Sequence, residues 1–480
     1  MAQRLRGGRG KPGISIVLPQ SEQKNWSQLG AITTSVVSAT VAIIALLYTA
    51  RTFSLSEQSQ ITERYARAIE QLGADKVDVR VGAIYSLERL MSDSPKDRRS
   101  ITDVLAAYVR NTSPRKTPIK EQTSPDCQSE YDNAPPVYAS EVDPAAIPKA
   151  DIQAAVTVLG RRPQNKEGAS RIDLRAANLT GIDMIGAKFP GTDLTGAVLS
   201  QANFSRADFR DAHLAYADLS AAHFFDADFT NADLEGADIS DANLYGANLT
   251  GTNLSASIAK RAQFTYLTDL EHIYLTRSGV QIDREETRPL RMTGTALSGS
   301  DLTDAYLVGA DLTQLASLGG GMLIRTNLNG TKMSGLFLAN TVICRASLVR
   351  ADLTRADLSR TDLTRAVLVG ADLSGALLEE ADLRKANLAS VQLRDAKLPR
   401  ADITGTEFAL SAGPIDLSKL PIGMSLDRKT YSDPTDSEKQ IKIVPTDLSG
   451  ADLSSVRGAT VDQFRRTKRD SATRLPVIMK

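Results

Sequence analysis

Ser347–Leu388 reads SLVRADLTRADLSRTDLTRAVLVGADLSGALLEEADLRKANL. Leucine recurs at every fifth place: Leu348, Leu353, Leu358, Leu363, Leu368, Leu373, Leu378, Leu383 and Leu388. Two residues before each leucine stands a small residue, as at Ala346, Ala351, Ala356 and Thr361. Asp or Asn directly precedes many of them: Asp352, Asp357, Asp362, Asp372, Asp382 and Asn387. A step of five on an α-helix rotates the side chain by about 140°, which scatters the leucines round the axis. On a strand five is odd, so successive leucines point to opposite faces. One leucine core therefore requires a backbone that turns between pentads. A bend of about 90° per pentad closes a coil in about four pentads, and the next coil stacks about 4.8 Å above it through backbone hydrogen bonds.

The pattern of small residue, Asp/Asn, Leu/Phe, Ser/Thr/Arg and variable position resembles the pentapeptide-repeat family. That resemblance implies a right-handed, four-sided β-helix; the period itself implies only a solenoid. The expected fold is thus an all-β solenoid in two blocks, preceded by an α-helical membrane-anchor module.

The inward series begins at Leu174 and runs through Leu179, Met184, Phe189, Leu194, Leu199, Phe204 and Phe209 to Leu254, weakening at Ala259 and returning at Phe264. Thr268–Pro289 breaks the period. The series resumes at Met292, steps one residue out of frame between Leu312 and Leu318 beside Gly319–Gly321, and continues to Phe408. Such a stutter predicts a bulge or bend. The first block with its capping helix spans 149–290 and the second 291–410. Residues 411–480 hold an irregular loop, two isolated pentads at Leu448 and Leu453, and a short basic helix opening on the capping box Thr460-x-x-Gln463. The segments ending DREETRP and DSATRLP resemble one another and suggest two joined repeat units. About forty pentads give roughly ten coils and a rod of some 50 Å.

Upstream, 1–26 reads as a disordered basic tail and 27–50 as a transmembrane helix. Gln28–Ala50 carries no charge and is flanked by Trp26 and Tyr48, and its length suits a hydrocarbon core of roughly 30 Å. A juxtamembrane helical module occupies 51–110, weakly similar to a HEAT-type hairpin, and reads as a packing module before a dimerisation surface. A proline-rich linker covers 111–148. The helix Asp151–Leu159 is placed to cover the open edge of the first coil.

Among 480 residues, 57 basic and 57 acidic side chains balance, so no global field draws the chain to nucleic acid or anionic lipid. The two cysteines, Cys127 and Cys344, make a poor disulfide framework and point to a reducing compartment. Cys344 falls at an outward place and is expected to be partly exposed. His213 and His223 lie ten residues apart, on opposite sides of one coil, so they cannot share a metal. No nucleotide-binding loop, zinc-protease motif or nucleophile elbow is present, and the Asp spacing follows the repeat. No enzyme activity, metal or cofactor is expected.

One surface feature is a candidate docking surface. Arg345, Arg350, Arg355, Arg360 and Arg365 share one outward phase and ring a coil. Pairing with interleaved Asp357 and Asp362 for solubility is the plainer reading. The expected function is a membrane-tethered, non-catalytic scaffold for an unidentified protein partner. A homodimer is allowed, no direct nucleic-acid contact is expected, and the single-pass anchor leaves the repeats in the cytoplasm. The alternative is a DNA mimic that binds DNA gyrase, as some members of the resembled family do in quinolone resistance.

Overall fold

The structure, a computed structural model, describes residues 20–120, 127, 147–163, 171–265, 290–408, 446–457, 459, 461–464 and 467–476. The chain divides into two compact units, Met1–Arg67 and Ala68–Lys480.

The first unit is mostly helix α1 (Gln20–Leu72). Pro19 is the last breaker before it, and Gly30 is the one glycine within it, so the helix runs unbroken. It therefore takes in Gln20–Trp26, which the sequence had assigned to the tail; residues 1–19 lie outside the described residues. From Val36 the helix is long and apolar enough to cross a membrane, its mean hydropathy reaching 1.7. Leu46, Leu47 and Tyr48 stand 66–73% exposed, the opposite of a soluble core helix.

The second unit starts with α2 (Val77–Asp93) and α3 (Arg98–Thr112). A single 3₁₀ turn, Pro95–Asp97, joins them, with Pro95 in the first turn where no amide donor is needed. Ile84, Leu87, Met91, Ile101, Leu105 and Val109 are buried. Helix α4 (Ala150–Arg161) packs on both. At that junction Asp151, fully buried, accepts hydrogen bonds from Arg80 Nε at 2.7 Å and from the Tyr108 hydroxyl.

The repeats form a four-sided solenoid of parallel one-residue β-bridges. Each bridge joins residues one coil apart, and four ladders start at Asp173, Asn178, Asp183 and Lys188. The bridges Asp173↔Asp193 and Asn178↔Val198 set a coil of twenty residues, four pentads. Between pentads the chain makes a β-turn such as Ala351 N–H to Leu348 O at 3.0 Å. Its third residue is left-handed, with φ of +57° at Arg350. The leucine and the small residue before it point inward; Leu353, Leu358, Leu363 and Ala356 are fully buried. In the first block phenylalanines replace leucine and stack along the axis: Phe209 lies 5.2 Å from Phe229 and 5.9 Å from Phe189, with Phe204 and Phe224 edge-on to it.

The two blocks are one ladder. Asn248 bridges Arg291, and Asn253, Ile258 and Gln263 bridge Ala296, Asp301 and Tyr306. Residues 266–289, including the proposed end unit, lie outside the described residues. The extra residue between Leu312 and Leu318 makes steps of 21 at Ala296↔Ser317 and Asp301↔Met322, after which Met322↔Val342 restores 20. The pentads at Leu448 and Leu453 stack directly on the last coil through Gln392↔Asp447 and Lys397↔Asp452. The chain departs after Phe264 and again after Phe408, both at the end of the Asp183 ladder side, and both times resumes on the Lys188 ladder, at Arg291 and Asp447. The Asn178 ladder has twelve rungs, ending at Arg457, which at about 4.8 Å each is a rod of roughly 50 Å.

On each of the four sides the open ladder carbonyl of the first coil is taken by an upstream group. Arg110 donates to Asp173 O, Ser113 Oγ to Asn178 O at 2.7 Å, Gln153 Nε2 to Asp183 O at 2.8 Å and Arg162 Nη1 to Lys188 O at 3.1 Å. Helix α4 and its C-cap residue Arg162 thus supply two of the four sides, and the end of α3 with its C-cap residue Ser113 supplies the others. At the far end Phe464 stacks on Phe408 at 5.2 Å and Gln463 Nε2 donates to Ile403 O. These lie on a 3₁₀ turn, Val461–Phe464, instead of the expected basic α-helix. One aromatic and one amide suffice to close the core end.

Two expectations are overturned. The proline-rich segment is not a free linker where it is described. Pro114 bridges Ala177, and Arg115 N–H donates to Ala176 O at 2.7 Å. The Arg115 guanidinium donates to Gly196 O and Tyr216 O, and Lys120 pairs with Asp238 at 2.5 Å. Proline suits such an edge because it lacks the amide a regular ladder needs. Cys127 and Cys344, far from being a poor pair, form a disulfide with Cα atoms 6.1 Å apart. Cys344 is fully buried, although its place in the pentad points outward.

Candidate interaction surface

The Asp/Asn of the motif has a structural task. Its Oδ1 accepts the amide two residues on: Thr354 to Asp352 at 3.0 Å, Ser374 to Asp372 at 2.9 Å, Thr404 to Asp402 at 3.0 Å. This Asx turn fixes each corner. The carboxylates are therefore committed one by one to backbone, and none of these forms a paired, apolar-lined acid–base couple.

His213 and His223 sit on the Asp173 and Asp183 ladders, on opposite sides. Burial pushes the His223 imidazole below its ordinary pKa, and its Nδ1 is buried without a partner. Cys127, Cys344 and Asp362 form a cluster of potential metal donors within 4.8 Å, but both sulfurs are spent on the disulfide, so no thiolate remains to ligate.

The arginine belt is real in sequence and divided in space. Each of its residues occupies a left-handed corner, with φ between +56° and +59°. Arg345, Arg350, Arg355 and Arg360 fall on four different corners, and Arg365 returns to that of Arg345. Arg360 pairs with Glu380 at 2.9 Å. The five residues thus do not converge on one surface.

A different set does converge. The corner following the Asn178 ladder carries, coil by coil, Asp241, Arg261, Asp304, Arg325, Arg345, Arg365 and Lys385. The first four alternate in sign and pair bidentately, Arg261 on Asp241 and Arg325 on Asp304, with Nε to Oδ1 distances of 2.6 and 2.7 Å. The Asp241 carboxylate holds Arg261 above its ordinary pKa against the opposing effect of burial. Below Arg325 the alternation stops and three further cations follow, stacked at about 4.8 Å per coil. None of the described ion pairs uses Arg345, Arg365 or Lys385, and the Arg345 Nε is buried without a partner. The acids on the adjacent side are engaged: Asp362 accepts from Thr364 N–H, and Asp382 is bidentate with Arg384. A reading with a period of twenty, instead of five, would have revealed this column in the sequence.

A family described as pentapeptide repeats matches residues 170–206, 202–241, 217–255, 237–277, 291–314, 323–360 and 361–400. Solved structures are similar to parts of the chain. HetL, a pentapeptide repeat protein involved in heterocyst differentiation regulation from the cyanobacterium Nostoc sp. strain PCC 7120, is 32% identical over 48% of this chain and 84% of its own, with a TM-score of 0.26. A trypsin-treated form of QnrB1, a plasmid-mediated fluoroquinolone resistance protein, is 16% identical over 53% and 90%, TM-score 0.22. Rfr23 from the cyanobacterium Cyanothece 51142 is 24% identical over 34% and 89%, TM-score 0.16. No curated protein sequence matches.

Proposed function

The chain belongs to the pentapeptide repeat family, and we propose that it is a membrane-tethered, non-catalytic scaffold whose solenoid docks an acidic protein segment on the Arg345–Arg365–Lys385 column. Its fold is that family's right-handed β-helical solenoid.

The observation that carries the docking surface is the loss of alternation on one corner. Where the same corner needs only solubility, it pairs Asp241 with Arg261 and Asp304 with Arg325. Three unpaired cations on successive coils repel one another. Each also holds a left-handed backbone, which costs a non-glycine residue about 1–2 kcal/mol, while Gly405 occupies the next coil of that corner. An anionic partner offsets the repulsion, and carboxylates on an extended acidic segment can follow such a column. The tether reading rests on the exposed apolar span of α1.

The gyrase-binding alternative is weaker. Imitation of a duplex requires an acidic surface, and here Arg261, Arg325, Arg360 and Arg384 neutralise Asp241, Asp304, Glu380 and Asp382.

The test uses the full chain in lipid nanodiscs titrated with poly-L-glutamate. Binding should weaken as salt rises, and Arg365→Glu with Lys385→Glu should lower affinity by about tenfold or more. Unchanged affinity in the double variant, with an unchanged circular dichroism spectrum, would refute the site.

A further inference from the structure

We propose that Ser113–Lys120, ending in the Cys127–Cys344 disulfide, is a strap that lashes the solenoid lengthwise, and that the solenoid therefore lies on the oxidising side of the membrane. The sidedness rests on the membrane-tethered reading; the strap does not.

The attachment points follow one side of the solenoid in order. Ser113 meets Asn178, the first rung of its ladder; Lys120 meets Asp238, the fourth; Cys127 reaches Cys344, beside the eighth rung Val342, and its Sγ lies 3.3 Å from Asp362 on the ninth. The first and eighth rungs are about 34 Å apart at the ladder spacing. Fourteen residues of extended chain reach at most about 46–50 Å. Fourteen residues therefore reach the eighth rung with about a quarter to a third of their maximal length to spare.

Much of this side is withdrawn from solvent. Asp238, Ser240, Asp301, Thr303, Ile324 and Cys344 occupy outward places there, yet all are buried. These places are withdrawn from any partner, which leaves the Arg345–Arg365–Lys385 corner and the remaining sides for recognition. The disulfide also joins the halves of the solenoid. It closes a loop of 217 residues that contains the entire first block, so the unfolded first block loses conformational freedom while the bond holds.

Forming the bond requires an oxidant. The two thiols lose two protons and two electrons to a protein disulfide, by attack of one thiolate on it and displacement by the other; the oxidant leaves as a dithiol. These are the only two cysteines in the chain, so no intramolecular mispairing competes. A persistent structural disulfide belongs to an oxidising compartment. Within about twenty residues of the apolar span the basic residues tie, Arg9, Lys11 and Lys24 before it against Arg51, Arg64 and Arg67 after it, so the sidedness is carried by the disulfide alone. The proposal thus places the solenoid opposite to the cytoplasmic side expected from cysteine usage.

The experiment needs no variant. Native cells are quenched with N-ethylmaleimide, and the full chain is digested without reductant and mapped by mass spectrometry. A cross-linked peptide pair containing Cys127 and Cys344 is expected; both residues recovered as maleimide adducts would overturn the strap. Intact cells freed of any outer barrier are then treated with a membrane-impermeant phosphine and an impermeant maleimide. Labelling without lysis is expected, and labelling only after lysis would overturn the sidedness. Carbonate washing examines the tether separately: release of the chain would sink the membrane reading while leaving a mapped disulfide in support of the strap.

Discussion

The Gln153 carboxamide holds Asp183 by both backbone groups: Nε2 donates to its carbonyl at 2.8 Å, and Oε1 accepts its amide at 3.1 Å. One side chain on α4 thus stands in for a missing rung below the first coil.

Gln153→Leu removes both bonds while keeping the side chain's length. Water can reach this edge, so the expected loss is about 1–2 kcal/mol. Gln153→Glu keeps the acceptor and loses the donor, and should fall between. Hydrogen exchange at Asp183 reports the local opening, and chemical denaturation the global cost.

The buried Asp151–Arg80–Tyr108 junction ties α2 and α3 to that same helix. Asp151→Ala leaves the Arg80 guanidinium facing an apolar gap and should cost about 3–5 kcal/mol. Asp151→Asn retains one acceptor and should cost less, as thermal unfolding would register.

This junction also sets a pH response at both ends. Burial raises the Asp151 pKa, but hydrogen bonds from Tyr108 and Arg80 outweigh it, so the carboxyl sits below its ordinary value. Its contribution is present above the unfolded carboxylate range near pH 4 and is lost as pH falls through the native value. Burial and then Asp151 push the Tyr108 phenol up to about 12. The stabilising neutral phenol is fully effective below about pH 10 and is lost as pH rises toward its native value. Denaturation midpoints of Tyr108→Phe should lack the alkaline decline seen in the parent chain.

Gly160 packs against the solenoid's open end. An added Cβ would stand 2.6 Å from Met184 Cε and 2.9 Å from Ala187 Cβ. Methionine can bend away, but Ala187 cannot. Gly160→Ala should therefore destabilise by about 1–3 kcal/mol, and Met184→Ala should not fully rescue it.

Phe209 touches four other rings within the first block. Phe209→Ala should cost about 3–5 kcal/mol. Phe209→Leu restores the commoner residue of the motif and should cost less. A cost to Phe209→Ala under 1 kcal/mol would show that these coils collapse freely around a void.

The inward series was legible because each leucine repeats one physical environment; it begins at Leu174, and past Phe408 the isolated pentads at Leu448 and Leu453 carry it on in space. Covalent and edge contacts were hidden. Cys344 looked exposed because its pentad place points outward, yet it is buried and bonded to Cys127. Ser113, Arg115 and Lys120 had no period to betray them, since their contacts with the solenoid do not repeat at any fixed spacing in their own segment. The arginine belt rings a coil as its five-residue period reads, but neighbours across coils lie twenty residues apart, a spacing that this period hides. The Arg345–Arg365–Lys385 column obeys the second spacing, not the first.

Both long departures from the ladder begin at the same edge, after Phe264 and after Phe408, and both hand the chain back in register to the Lys188 side. Sequence length at this edge is therefore decoupled from the leucine interior. New segments can be grafted there, exchanged or trimmed without renegotiating a single rung, which makes this seam the natural place for the protein to acquire a specificity its repeats do not encode.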